Sequence, residues 1–98
     1  MTRKEFKNSV DEICKYALFE GCNTNWKEVI KSFHILNGKC IDSGILTFEE
    51  ESAYCYLLGL LFTIYEREQT FGGDENSAIS KLTCIADIYS EVNEWDVV

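Results

Sequence analysis

TFEEESAYCYLLGLLFTIYEREQ, residues 47–69, is the stretch on which the fold turns. Between Ala53 and Tyr65 it runs for 13 residues broken only by Gly59 and Thr63, with Glu49, Glu50 and Glu51 ahead of it and Glu66, Arg67 and Glu68 behind. A membrane-spanning helix needs about 20 apolar residues, so this run is too short to cross a bilayer. A helix that is apolar nearly all round is one that other helices surround. The expectation is a soluble all-α fold: a single-domain antiparallel bundle of about four helices, residues 1–98, with a buried central third helix. Gly59 costs that helix about 1 kcal/mol relative to alanine, and close approach of a neighbouring helix at that point would offset it.

The flanking segments supply the other helices. Thr2-Arg3-Lys4-Glu5 is a capping box, in which the threonine oxygen accepts from the third amide and the glutamate reaches back. Phe6, Val10, Ile13, Cys14, Ala17 and Leu18 then recur at three and four, which predicts a helix over 3–19 ended by Gly21. After a polar turn at 22–25, Asn25 caps a second helix whose apolar stripe is Trp26, Val29, Ile30, Phe33 and Leu36 or Ile35, with Gly38 expected to stop it near Asn37. Residues 39–46 carry Asp-Ser-Gly, a turn signature, and read as an ordered loop pinned by Ile41 and Ile45, or as a short helical turn. Thr47 to Glu50 is another capping box, and three carboxylates in one first turn suit the positive end of the helix dipole. A fourth helix is predicted over 75–94, with Ile79, Leu82, Ile85, Ala86, Tyr89 and Val92 inward, Ile88 and Trp95 on a second apolar edge, and Asp87, Glu91 and Glu94 as an acidic row facing out. The last residues, 96–98, are expected to fray.

Composition narrows the class. Apolar residues make up 46 % of the chain and aromatics 13 %, which excludes a disordered tail, and the absence of proline favours helices. The five cysteines are odd in number and form no CxxC pair, so they read as reduced thiols in a cytoplasmic protein. The N-terminus is charged and has no apolar export segment. Net charge is −8, distributed unevenly: residues 1–41 carry seven basic and five acidic side chains, residues 42–98 two and twelve. The halves thus stand at +2 and −10. Such a field repels nucleic acid and draws basic surfaces.

Catalytic and metal chemistries find little support. Structural zinc needs four Cys/His ligands in close pairs, and His34 is the single histidine. No Glu-x-x-His pair exists for a dimetal site, and Glu66 and Glu68, two apart, leave a helix on different sides. Cys40 with His34, oriented by Asp42, is the one conceivable nucleophilic dyad, outweighed by reading His34 as a surface residue and Cys40 as a loop thiol. Gly72-Gly73 lacks the lysine and hydroxyl of a phosphate loop. The N-terminal lysines are interleaved with carboxylates, so no basic face forms for nucleic acid. The expectation is a non-enzyme without metal or cofactor, with no membrane and no direct nucleic-acid contact.

What remains is the acidity. In an up-down-up-down bundle Glu49, Glu50 and Glu51 begin the third helix, and the fourth returns beside them with Asp87, Glu91, Glu94 and Asp96. Trp95 or Phe48 at this end, and Phe71 at the other, could serve as the buried anchor that carboxylates alone lack, although Trp95 and Phe71 read equally well as lids on the core. These residues, Trp95 included, form the candidate partner-binding set, and Glu66, Glu68, Asp74 and Glu75 with Phe71 form a lesser patch at the opposite end. In size, acidity and helical make-up the chain resembles small inhibitors that cover the basic substrate groove of a nuclease: in bacteria, an immunity protein or antitoxin. That resemblance implies a basic protein partner, a cognate nuclease toxin, and a monomer rather than a homodimer. A phage-encoded nucleic-acid mimic directed against host defence follows the same physics. The competing expectation is a helical adaptor or regulatory subunit that self-associates through its surplus of aromatics, Tyr16, Tyr54, Tyr56 and Tyr65 among them.

Overall fold

The computed structural model describes residues 1–96, apart from the side chains of Ile41 and Asp42. The helical reading holds: α1 (Arg3–Glu20), α2 (Trp26–Ser43), α3 (Phe48–Phe71) and α4 (Glu75–Asn93) follow one another, with a 3-10 turn at Gly21–Asn23 between the first two. Capping explains where they begin. Thr2 accepts from the Glu5 amide while Glu5 accepts from the Thr2 amide, and Thr47 and Glu50 do the same. Asn25 accepts from Glu28, and Asp74 forms a box with Ser77. Each arrangement satisfies amides that the first turn leaves without a helical partner. Thr24 closes the other end of α1, its buried hydroxyl donating to the Ala17 carbonyl at 3.0 Å.

Three expectations need correcting. The second helix does not stop at Gly38 but runs to Ser43, where Gly44, at φ +59°, provides the left-handed cap. Leu36 and Cys40, one turn apart, are both buried, and that packing carries the helix past a glycine that is tolerated at modest cost. Most of the segment read as a loop is therefore helix. Ile45 is half-buried as the expected anchor, while Ile41 as a second pin lies outside the described side chains; of the residues expected to fray, Asp96 is held by Arg3 through its carbonyl, and 97–98 lie outside the described residues.

The inward face of α4 is also turned. Lys81, Cys84, Ile85, Ile88, Val92 and then Trp95 are buried, while Ile79 is 54 % exposed and Ala86 faces out. Both stripes share Ile85 and Val92. The observed stripe takes Lys81 inside, a charge that belongs outside by rule yet is 4 % exposed, and it is compensated there by Glu68 of α3, which meets its Nζ at 2.6 Å, and by the Trp26 ring 4.5 Å beneath it.

The third helix, finally, is not enclosed. It buries Tyr54, Leu58 and Leu61, but Tyr56 is 68 % and Leu60 42 % exposed. The helices packed on two sides are α1, against α2 and α4, and α4, against α1 and α3. Between α2 and α3 the contact runs through side chains, His34 stacking on Phe62 with ring centroids 4.5 Å apart. Gly59 has nothing within 4 Å of where a Cβ would stand, so no helix among the described residues approaches it closely.

Candidate functional site: a carboxylate-bearing end

One guanidinium assembles the end of the bundle where the candidate carboxylates gather. Arg3, on the first turn of α1, donates through Nη1 to the Ile45 carbonyl at 3.0 Å. It grips Glu50 at both carboxylate oxygens, 2.6 and 2.8 Å away, and donates through Nε to the Asp96 carbonyl at 3.1 Å. The start of α1, the α2–α3 connection, the first turn of α3 and the chain after α4 are thereby held together. Fork-to-fork pairing of this kind is the strong form of an ion pair. It holds the Glu50 carboxyl well down, to about 2, with the Arg3 hydrogen bonds as the main cause and the Thr47 amide a smaller one.

The candidate residues divide on this geometry. Glu49, Glu51, Asp87, Glu94 and Asp96 are exposed. None of them joins an ion pair among the described residues, where the pairs are Arg3–Glu50, Asp11–Lys15 and Glu68–Lys81. Glu91 is half-buried and accepts from Trp95 Nε1 at 3.3 Å. Glu50 is committed to Arg3, and Trp95 is 8 % exposed, stacked 6.1 Å from Phe6 and set edge-on to Tyr54. Trp95 is thus a lid on the core rather than a surface anchor. Phe48 and Phe71, at 81 % and 84 % exposed, are the aromatics the two ends display. Asp87 lies seven residues back from Glu94, about 10 Å along the helix, so the acidic surface continues up the side of α4. Two cations moderate it, Arg3 and Lys7, whose Nζ donates to the Trp95 carbonyl.

The cysteine–histidine pair does not assemble. With Cys40 inside α2, six residues separate it from His34, which places them about 120° apart around the helix. His34 faces Phe62, and Cys40 is buried, its thiol raised by that burial. Asp42, the proposed orienting group, lies outside the described side chains. Burial likewise raises Cys55 and Cys84, and it pushes Cys14 up to about 12. A thiol held protonated is a poor nucleophile.

Two features escaped sequence reasoning. The Lys81–Glu68–Trp26 arrangement joins residues 26, 68 and 81, a spacing no local pattern reveals. A cleft of about 70 Å³ between the end of α2 and the start of α3 is lined by Asn37, Cys40, Glu51, Tyr54 and Cys55. Tyr54 is 1 % exposed, and its hydroxyl has no hydrogen-bond partner among the described residues. Here the only signal was a tyrosine inside an apolar run.

No protein-family model, curated protein or solved structure matches this chain.

Proposed function

We propose that this protein works by binding: a small acidic helical inhibitor that neutralises a basic protein, in the manner of an immunity protein or antitoxin covering the substrate groove of a nuclease. It carries out no chemistry of its own in this reading. The observation that supports it is the set of exposed carboxylates at one end and along one side of the bundle, Glu49, Glu51, Asp87, Glu94 and Asp96, without ion-pair partners among the described residues. Unpaired surface charge steers association and is screened by salt. The partner set is narrower than the sequence implies, since Glu50 and Trp95 hold the bundle together.

The first target to try is a nuclease encoded beside this chain's gene. Purified protein should inhibit it, with an association rate that falls steeply between about 0.05 and 0.5 M salt. Reversing Asp87, Glu94 and Asp96 together should slow association without lowering the melting temperature. An association rate indifferent to salt and to all three reversals would remove the basis of the reading.

A second reading, self-association as an adaptor, draws on the large apolar side chains left in the open, with Phe19 88 %, Phe48 81 % and Phe71 84 % exposed. Sedimentation separates the two readings, since an adaptor of this kind runs as a dimer or larger whatever the salt.

A further inference from the structure

The side chains that line the cleft of about 70 Å³ between the end of α2 and the start of α3 include several hydrogen-bond acceptors and no cation. Tyr54 is 1 % exposed, and its hydroxyl meets no partner among the described residues. A buried phenol left in that state is destabilising until something pairs with it. Its ionisation is raised by burial first and then by Cys40, Cys14 and Cys55, which sets the hydroxyl near the two thiols of the cleft wall. Asn37 adds a carboxamide oxygen. Glu51 is exposed and joins no ion pair among the described residues, so its charge stands at the mouth. Burial first, and the Glu51 charge after it, raise the thiols of Cys40 and Cys55, so a negative field reaches inward. Gly44, the residue that caps α2, also lines the cleft, and the negative end of that helix dipole adds to the field. Arg3 lies in the adjoining recess, which shares Gly44 and Leu46, and is already taken by Glu50.

We infer that this cleft binds a guanidinium group, on the reading above the tip of an arginine that the basic partner inserts past Glu51. The inference rests on that reading for the source of the group and not for the site. Size agrees, since a cavity of about 150 Å³ takes benzene, and about half that volume suits a planar group as small as guanidinium. Chemistry chooses between the cations. A guanidinium presents its N–H donors in a flat fork and is weakly hydrated, whereas an ammonium is compact and holds its water. The Glu51 carboxylate would accept from one edge of the fork, the pairing in which a charge-assisted hydrogen bond is strongest. The Tyr54 oxygen and the Asn37 carboxamide would accept from the inner edge. An arginine seated in a desolvated pocket is the kind of contact that dominates an interface, while charges at the rim contribute little. The site also explains a tyrosine inside an apolar run, where phenylalanine would fill the same space without leaving a hydroxyl unpaired.

The test uses the intact chain and methylguanidinium, with tetramethylammonium as a cation of the same charge that has no N–H. At constant ionic strength, NMR titration with methylguanidinium should show saturable shifts at the amides of Asn37, Cys40 and Cys55, half-complete at about 10 mM or below. Tetramethylammonium should give none. Tyr54→Phe removes a hydroxyl that pairs with nothing, so its melting temperature should not fall, and it should weaken binding about tenfold. Glu51→Gln, at an exposed position, should weaken it as much. Shifts that never saturate, equal shifts with tetramethylammonium, or an affinity indifferent to both substitutions overturn the inference. Saturating methylguanidinium should also weaken the complex with an inhibited nuclease at least about tenfold. A complex left unchanged while methylguanidinium fills the cleft overturns the partner's arginine as the source and makes a free guanidinium compound the ligand. The two proposals fail separately. A chain that inhibits its nuclease but gives no saturable shifts sinks this inference alone, and a cleft that takes methylguanidinium in a chain that inhibits no basic protein sinks the inhibitor reading alone.

Discussion

Glu50 is a carboxylate whose surroundings changed its role. As one of three acids in a row it reads as surface charge, yet its side chain is 14 % exposed and gripped by Arg3. A carboxyl held below its unfolded value contributes stability that is complete above about 4.5 and disappears as pH falls toward about 2. Glu50→Gln should therefore cost about 2 kcal/mol at pH 7, and the gap from the parent should close in acid. Melting curves from pH 7 to pH 2 would show it, and a gap independent of pH would refute it. The lowered carboxyls of Glu5 and Asp74 are common to both proteins and cancel. Lys81 shows the opposite behaviour, a charge carried inside. Lys81→Met leaves Glu68 without its partner and should cost about 2–3 kcal/mol, whereas Lys81→Met with Glu68→Leu should return to within about 1 kcal/mol of the parent. Chemical denaturation of the single and double variants checks both values.

Among the helices, the informative contrast is between two glycines. Gly38 and Gly59 both lie inside helices with nothing within 4 Å of a built Cβ, and neither has a positive φ. The expected stop at Gly38 gave way because Cys40 continues the buried stripe and Gly44 supplies the left-handed conformation at which a helix ends readily. Gly59 was expected to mark a close approach that the bundle does not make. Gly59→Ala should accordingly raise stability by about 1 kcal/mol, which corresponds to roughly 4–8 °C in melting temperature for a domain of this size. A loss of stability in thermal denaturation would mean that something packs there after all.

For the molecule as a whole, Trp95 and Asp96, just past α4, act as a keystone. Trp95 closes the core against Phe6 and Tyr54, and the carbonyls of Trp95 and Asp96 take donors from Lys7 and Arg3 of α1. Trp95→Ala should cost about 3–5 kcal/mol, a large share of the roughly 5–15 kcal/mol that stabilises a typical domain. A urea midpoint close to the parent's would contradict that role. The candidate surface bears the same stamp. Its exposed acids are those the bundle does not need for assembly.

Helix number, helix starts and the acidic bias of residues 42–98 follow from local facts: capping boxes, three-four spacing and the count of charges. Those signals act within a turn or two of the chain, so they are legible without a fold. Which face of α4 points inward, where α2 ends, which side of α3 stays open and which carboxylates are already spoken for were decided only by tertiary structure. Each depends on a partner remote in sequence, Glu68 for Lys81, the core for Cys40, Arg3 for Glu50, Phe6 for Trp95, and a local pattern carries no record of which distant group will compensate a buried charge or claim an exposed one.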